Sequence, residues 1–348
     1  MLDHAVKQHI HEGTVIPAHP LALTSDRRLD ERSQRALTRY YIDAGAGGLA
    51  VGVHTTQFEI RDPAFQLFEK VLVMAMEEME RASKNFIKIA GICGPVEQAV
   101  REAEFSKHIG YDLGLLSMGS LQDLSEDELL YRAEKVAEII PVFGFYLQPS
   151  VGGRVFSYDF WKRFADIDNV HAIKIAPFNR YQSFDVVRAV CNSARNKEIA
   201  LYTGNDDNIV NDLLTTYQIR VGDRQVTKKI VGGLLGHWSV WTKRVVEMFA
   251  EMKHAQSKDH IPSELLTLGQ EITDANAAFF DASNQFKGCI AGINEVLTRQ
   301  GLLKGNWCLL EKEQLSPHQA DEIDRVYRSY PHLNDDTFIQ ANLSKWLD

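Results

Sequence analysis

Eight short apolar runs that alternate with longer amphipathic segments constrain the fold of this chain more than any other feature of its sequence. The longer segments, such as ERSQRALTRYYIDAG and PVEQAVREAEFSKHIG, repeat apolar residues at helical spacing, and both end in the glycine expected at a helix C-cap. The apolar runs predict strands at residues 14–19, 48–53, 86–91, 113–117, 142–147, 170–176, 199–204 and 230–236.

This alternation predicts an α/β fold, a (β/α)8 TIM barrel with a C-terminal helical extension, because eight such units in about 250 residues are usual for that barrel. A doubly wound open sheet is the rival, but no GxGxxG motif follows the first strand. Residues 216–229 are too many for a normal loop and predict a small hairpin around Val221-Gly222-Asp223. Only helical patterns follow residue 260, so we assign 1–258 to the barrel and 259–348 to a helical region packed on it.

Charge and cysteine usage limit the partners and the compartment. The formal net charge of −9 and the pI near 5.8 argue against a nucleic acid or an anionic membrane, because an acidic surface finds nothing there to pair with. The four cysteines form no CxxC pair, and neither a signal peptide nor a run of about 18 apolar residues is present. We therefore expect a soluble, cytoplasmic protein whose partner is a small molecule or another protein.

Lys174 interrupts the apolar run VHAIKIA near the end of the sixth predicted strand. If its side chain points into the barrel, the small residues Ala172 and Ala176 point with it, which leaves room for a ligand at the catalytic end of the barrel. Burial lowers the pKa of an amine and makes it a nucleophile that can form an imine with a carbonyl. The alternative is a structural lysine, held by a buried carboxylate or reaching solvent at a strand edge.

Two further strand ends carry hydroxyl groups. VGVHTTQFE follows the second strand and offers Thr55 and Thr56, which can hold a carboxylate and pass a proton, while FYLQPS ends the fifth strand and offers Tyr146 as a proton relay. Taken singly, threonines are good strand formers and a tyrosine is usually packing. Together with Lys174 the combination is more specific.

These motifs resemble those of the dihydrodipicolinate synthase and N-acetylneuraminate lyase group of class I aldolases, from about residue 13 to about residue 250. GLAVGVHTTQFE is similar to the group's glycine-threonine-threonine-glycine-glutamate motif, FYLQPS to its tyrosine motif and HAIKIA to its Schiff-base lysine strand. The resemblance implies that Lys174 forms an imine with a 2-keto acid, often pyruvate. Thr55 and Thr56 would then bind the carboxylate, and Thr56 would relay protons to Tyr146. It also implies a homo-oligomer, a dimer or tetramer, that needs no metal or organic cofactor.

The departures from the group's pattern concern the second substrate. His54, a further candidate to bind substrate, precedes the two threonines, and Gln57-Phe58 follow them. LLSMGSLQD lacks the tyrosine pair of the synthase branch. The branch's substrate-binding arginine falls at Val151, for which Arg154 is a nearby substitute. We therefore expect an imine-forming centre with a rebuilt second pocket and no dihydrodipicolinate synthase activity.

Other polar residues follow the last two barrel strands. His237 can act as a general acid or, with Trp238, as a stacking surface. Asn205, Asp206 and Asp207 are candidates to bind substrate hydroxyls, although such residues more often cap the next helix.

Three functions remain open. The leading hypothesis is a Schiff-base lyase or aldolase acting on a 2-keto acid or a sugar-acid derivative. The second is a non-catalytic sensor for such acids on the same scaffold, and the third is a metal-dependent barrel hydrolase. The hydrolase rests on His9 and His11, which precede the first strand and lie away from the usual catalytic end.

Overall fold

The computed structural model describes residues 2–83 and 85–348. The chain divides into two compact units, each built from two stretches of sequence. The first contains the N-terminal residues up to Thr14 together with Ile87–Leu234, and the second contains Val15–Phe86 together with Leu235–Asp348. The predicted boundary at residue 258 instead follows a change in secondary structure, since the described elements beyond it are all helices.

Each predicted apolar run contains or overlaps a strand, and the hairpin adds one more. The strands in the described chain are β1 Val15–Pro17, β2 Gly48–Val51, β3 Ile87–Ile92, β4 Leu113–Ser117, β5 Val142–Leu147, β6 Val170–Ala176, β7 Ala200–Thr203, β8 Thr216–Val221 and β9 Arg224–Leu235. Every residue of β5 and β6 is buried, which explains why both read as continuous apolar runs.

The hydrogen-bonded strand order is β1-β9-β7-β6-β5-β4-β3-β2, and its neighbouring strands from β3 to β9 pair in parallel. A parallel bridge between Ala18 and Ala50 joins the two ends of this order. The fold is therefore a (β/α)8 TIM barrel with a C-terminal helical extension, as the sequence predicts. β8 pairs with β9 in an antiparallel hairpin that turns at Gly222-Asp223, which confirms the predicted hairpin.

Helices alternate with the strands and then continue alone to the C-terminus. They are α1 His4–Glu12, α2 Glu31–Ala44, α3 Phe68–Met79, α4 Val96–His108, α5 Glu126–Ala137, α6 Tyr158–Asp166, α7 Arg180–Cys191, α8 Ile209–Leu214, α9 Thr242–Ala255, α10 Glu264–Phe279, α11 Cys289–Arg299, α12 Gln319–Ser329 and α13 Asp336–Leu347. Local sequence sets several ends. Gly45 ends α2 in a left-handed conformation with φ of 94°, and Ser125 with Glu128 forms a capping box at the start of α5.

Within the second unit, the C-terminal helices are tied to α2. The Tyr40 hydroxyl donates a hydrogen bond of 2.6 Å to Asp335, just before α13, and accepts one of 2.7 Å from the backbone N–H of Thr242. The Trp346 ring of α13 packs 5.4 Å from the Tyr40 ring. These contacts make the helical region part of the packed unit.

Candidate active site

Lys174 shares one face of the sheet with small and aromatic neighbours. The register pairs it with Phe145 of β5 and with Tyr202 of β7, so the three side chains lie on the same face. A Cβ atom added to Gly204 would lie 2.4 Å from Cε of Lys174 and 2.8 Å from Cβ of Ala176, so Ala176 also lies on this face. Gly204 thus provides the space that the lysine side chain occupies.

The opposite face of the same strands contacts the surrounding helices. A Cβ atom added to Gly144 would lie 2.5 Å from the Phe164 ring of α6, and Gly144 is paired with Ile173. Because side chains alternate along a strand, Lys174 points away from α6 and into the barrel interior. Lys174 therefore has the inward orientation on which its catalytic interpretation depends.

Burial changes the chemistry of the Lys174 amine. The side chain is only 7% exposed, and this burial lowers its pKa from 10.5 to about 8, against the opposing effect of the Asp206 carboxylate. The amine nitrogen also lies 4.3 Å from the centre of the Phe145 ring, a cation–π contact that favours the ammonium form. At neutral pH roughly a tenth of such amines are unprotonated, which is enough for nucleophilic attack.

Asn205 is used internally, which corrects its assignment to a substrate hydroxyl. Its amide nitrogen donates to Asp212 at 2.9 Å and to Ser183 at 3.2 Å, and its oxygen accepts from the backbone N–H of Phe178 at 3.0 Å. The side chain is fully buried. Asn205 therefore braces the end of β7 against α7 and α8, while its neighbour Asp206 is the one that acts on Lys174.

Tyr146 lies on the face of β5 that points away from Lys174. The register pairs Tyr146 with Ile175, whereas the adjacent Phe145 is paired with Lys174. The Tyr146 ring packs 5.1 Å from that of Trp161, and its hydroxyl accepts a hydrogen bond of 3.3 Å from the backbone N–H of Phe156. The structure does not bring the two predicted catalytic side chains together on one face.

Arg154 holds the loop that follows β4. Its guanidinium donates to the carbonyl oxygens of Leu124 at 2.6 Å and Leu121 at 3.4 Å, and it lies 5.4 Å from the ring of Phe156. These bonds fix the loop 121–124, which is a structural use of the side chain. The predicted substitution of Arg154 for a substrate-binding arginine has no support from this geometry.

In the second unit, Thr55 and Thr56 lie in a short 3-10 turn after β2, and both are buried. The Thr56 hydroxyl donates to the carbonyl of His19 at 2.6 Å and accepts from the backbone N–H groups of Gly52 at 3.0 Å and Val53 at 3.2 Å. A hydroxyl has one proton and two lone pairs, so these three bonds use its full capacity. The Thr55 hydroxyl donates to Ala18 at 2.8 Å and retains lone pairs.

Two candidate site histidines, His54 and His237, belong to the second unit and contact aromatic rings. His54 is half-buried with its ring 5.9 Å from Phe58, and His237 is stacked 5.6 Å from Phe279. Burial lowers the pKa of His237 to about 4, so its ring is neutral at pH 7. Of the two roles suggested for His237, a neutral imidazole suits a stacking surface better than a general acid.

The sequence did not indicate the roles of two residues, Phe145 and Gln57. Phe145 lies against the lysine amine, and its place one residue before Tyr146 on β5 could have indicated this face. Gln57 is buried with φ of 67°, at the position where the resembling motif has glycine, and its oxygen accepts from the backbone N–H of Leu309 at 2.6 Å. Gln57 therefore ties the threonine turn to the C-terminal region within the second unit.

The residues that the structure describes contain no set of metal ligands for the proposed metal-dependent hydrolase. His9 and His11 lie in α1, before the first strand. Within residues 2–83 and 85–348, no three histidine, cysteine, aspartate or glutamate side chains are grouped so that they could hold a metal ion. In the same part of the chain, no helix combines the length and apolar character needed to cross a membrane.

Comparison with known sequences gives one type of curated relative. No protein-family model matches the chain. The chain is 27% identical over 202 residues to the 4-hydroxy-tetrahydrodipicolinate synthase of Bifidobacterium longum, in strains DJO10A and NCC 2705. The match covers 56% of this chain and 60% of each synthase, so it spans less than two thirds of the relatives' length.

Solved structures share the fold over nearly their whole length. A dihydrodipicolinate synthase from Oceanobacillus iheyensis superposes with a TM-score of 0.73 at 14% identity, covering 94% of this chain and 99% of that one. An N-acetylneuraminate lyase from Fusobacterium nucleatum, complexed with pyruvate, gives 0.72 at 16% identity, covering 93% and 99%. These structures share the fold of this chain, and the curated synthases share part of its sequence at low identity, in line with the resemblance that the motifs indicate.

Proposed function

We propose that this divergent relative of the dihydrodipicolinate synthases and N-acetylneuraminate lyases is a lyase or aldolase that forms an imine between Lys174 and a 2-keto acid such as pyruvate, or a sugar-acid derivative. The observation that carries the proposal is the buried Lys174, directed into the barrel interior, with its pKa lowered to about 8. The curated synthases and the lyase solved with pyruvate support the same class of reaction.

Imine formation follows from the chemistry of a buried amine. The unprotonated Nζ attacks the keto carbon, the keto oxygen takes up protons and leaves as water, and a positively charged imine remains on Lys174. The imine draws electrons from the adjacent carbon, so a proton or a carbon group can leave or add there. No metal or organic cofactor is needed for these steps.

The neighbours of Lys174 suit the charge that the imine carries. The Asp206 carboxylate favours the positive form of the amine, and the Phe145 ring presents its face at 4.3 Å. Both effects also apply to a protonated imine, which is a cation at the same nitrogen. We assign Asp206 and Phe145 the role of stabilising this intermediate.

Thr55 and Thr56 stay in the proposal as the carboxylate-binding pair that the resemblance implies. Both hydroxyl protons now point at the backbone carbonyls of Ala18 and His19. Binding a carboxylate through them therefore requires an exchange of these hydrogen bonds. Since Tyr146 faces away from Lys174, we do not assign it the proton relay.

A second candidate function is a non-catalytic sensor of 2-keto acids. It is favoured by the internal use of Arg154 and Asn205, which removes two of the polar groups expected to bind the rest of a substrate. A sensor would bind such acids without turning them over. The metal-dependent hydrolase remains the least supported alternative, and loss of activity with a chelator would be its signature.

Reductive trapping tests the proposal. The protein is incubated with pyruvate and a panel of other 2-keto acids, reduced with borohydride and digested, and a stable mass increment is expected on the peptide containing Lys174. Lys228 is the internal control, because burial lowers its pKa to about 8 as well, while the carbonyls of Asn196 and Ile199 hold its ammonium. Binding of a keto acid without any adduct would favour the sensor. Equal labelling of Lys228 would show that keto acid and borohydride modify any amine of lowered pKa, so that the adduct on Lys174 would not indicate an active site.

The resemblance also implies assembly into a dimer or tetramer. Sedimentation velocity of the purified chain distinguishes these states from a monomer. A monomer at micromolar concentration would remove the oligomer from the proposal without affecting the chemistry at Lys174.

A further inference from the structure

A large cavity lies in the first unit, at the other end of the strands from Gly204 and Asp206. It is bounded by the end of α7 with the loop that leads into β7, and by the β8–β9 hairpin. Its volume of about 850 Å³ is in the range of small-molecule sites. This cleft, which we call the hairpin cleft, is independent of the chemistry proposed for Lys174.

The hairpin cleft is positively charged in a chain whose formal net charge is −9. One acidic residue, Glu198, lines it against four basic residues: Arg195, Lys197, Arg224 and Lys228. Glu198 is paired with Arg195 at 3.2 Å. The side chains of Lys197 and Arg224 make no ion pair or hydrogen bond with other residues that the structure describes, so they are available to an anion.

Lys228 is held in place within this cleft. Its Nζ donates to the carbonyls of Asn196 and Ile199, the latter at 2.6 Å. An ammonium has three protons, so one remains for a ligand after these two bonds. The cleft therefore offers one fixed cation and two adjustable ones, a set that suits a phosphate group.

A smaller cavity of about 510 Å³ adjoins the hairpin cleft and shares Arg195 and Glu198 with it. His171 lines this cavity and is 9% exposed. Its Nε2 lies 3.2 Å from Oδ1 of Asn169, whereas its Nδ1 has no hydrogen-bond partner among the described residues. Because Nε2 faces an amide oxygen, it carries the proton, and the buried Nδ1 keeps a lone pair without a donor.

We propose that the hairpin cleft and its adjoining cavity bind a phosphorylated sugar or polyol. The phosphate lies among Lys197, Arg224 and Lys228, and a hydroxyl of the same molecule donates to Nδ1 of His171. The cleft is larger than inorganic phosphate requires, and His171 lines the adjoining cavity rather than the cleft that holds the cations, so its donor comes from another part of the same molecule.

Calorimetric titration of the full chain tests this site with three probes: sorbitol 6-phosphate, sorbitol and inorganic phosphate. Sorbitol 6-phosphate has no carbonyl, so it cannot react with Lys174, and a Lys174→Met variant should bind it equally well. We expect sorbitol 6-phosphate to bind at least tenfold more tightly than either of the other probes. Its affinity should fall as the salt concentration is raised.

Variants locate the binding. Arg224→Gln and Lys197→Gln should each lower the affinity for sorbitol 6-phosphate several-fold. Both residues are exposed, so neither substitution should disturb folding. Lys229→Gln is the matched control, because Lys229 follows Lys228 in β9 and does not line the cleft. His171→Ala should lower the affinity for sorbitol 6-phosphate and leave the affinity for inorganic phosphate unchanged. Absence of binding at millimolar concentration, or equal losses with Lys229→Gln and Arg224→Gln, would overturn the proposal.

Discussion

The Phe145 ring lies against the Lys174 amine, with 4.3 Å between the ring centre and the nitrogen. The two residues are paired in the register of β5 and β6, so the backbone itself sets this contact. The ring favours a cation at the nitrogen, while burial disfavours it. The basicity of the amine is thus set by two opposing neighbours that can be altered separately.

Phe145→Leu should make the amine less basic. Loss of the cation–π contact removes about 1 kcal/mol from the ammonium form, so the pKa of Lys174 should fall below about 8 by roughly half to one pH unit. In a pH profile of kcat/KM, the rise that marks the free amine should move to lower pH by that amount. Phe143→Leu is the control, because Phe143 packs 5.2 Å from Tyr202. An equal displacement in both variants would contradict the cation–π effect.

Lys174→Met should abolish activity and stabilise the fold near neutral pH. The folded-state pKa of about 8 is below the unfolded value of 10.5, so between these values the unfolded chain binds more protons and wild-type stability rises with pH. Below pH 8 the variant should be more stable than wild type by about 3 kcal/mol, and the difference should shrink towards pH 10.5. Urea unfolding of both proteins across this range measures it. A difference that does not vary with pH would refute the lowered pKa.

Gly204→Ala should displace the lysine side chain. The new Cβ atom would lie 2.4 Å from Cε of Lys174 and 2.8 Å from Cβ of Ala176, closer than such atoms approach in proteins. We expect a loss of about 1–3 kcal/mol in stability and of at least tenfold in kcat/KM. Adding Ala176→Gly removes only the second contact, so it should restore little activity. Full recovery in the double variant would mean that Lys174 is not the residue displaced.

Tyr146→Phe should leave most of the activity intact. The hydroxyl accepts one long hydrogen bond from Phe156 and lies on the face opposite Lys174, so its removal should cost about 1 kcal/mol of stability. Steady-state kinetics should show kcat/KM within about threefold of wild type. A loss of a hundredfold or more would restore the proton-relay role that the resemblance implies.

Tyr40→Phe should loosen the C-terminal helices. The change leaves Asp335 without its 2.6 Å donor and the N–H of Thr242 without its 2.7 Å acceptor, both of them buried. We expect a loss of about 2–3 kcal/mol in the free energy of unfolding. Tyr41→Phe, which removes a single bond to the carbonyl of Ser239, is the control and should cost about half as much. Equal costs would argue that ring packing, and not this hydrogen-bond pair, holds the region.

The strands, and the neighbours that share a face with Lys174, could be predicted from the sequence because both depend on local alternation. Apolar runs locate the strands. Because side chains alternate between the two faces of a strand, the residues two positions from Lys174 share its face. The same rule, applied to Phe145 and Tyr146, would have put these adjacent residues on opposite faces. The resemblance of FYLQPS to the tyrosine motif led instead to the prediction that Tyr146 acts beside Lys174.

The uses of the polar residues could not be predicted because their partners are distant in sequence. Arg154 is engaged by carbonyls thirty and more residues earlier, and Asn205 by the N–H of Phe178 on the preceding connection. Nothing in FYLQPS or YTGNDD indicates these partners. A strand end indicates where a side chain lies along the barrel, but not whether its hydrogen-bonding capacity is already used.

The interleaving of the two compact units has a consequence for synthesis. Residues 15–86 leave the ribosome before residues 235–348, the segment that they pack with. At typical elongation rates, they wait on the order of ten seconds while residues 87–234 are added. During this time the apolar face of α2 is without Trp346 and Phe338, the aromatic side chains that later pack on Tyr40. The early stretch therefore exposes apolar surface to the solvent until the C-terminal segment has been made.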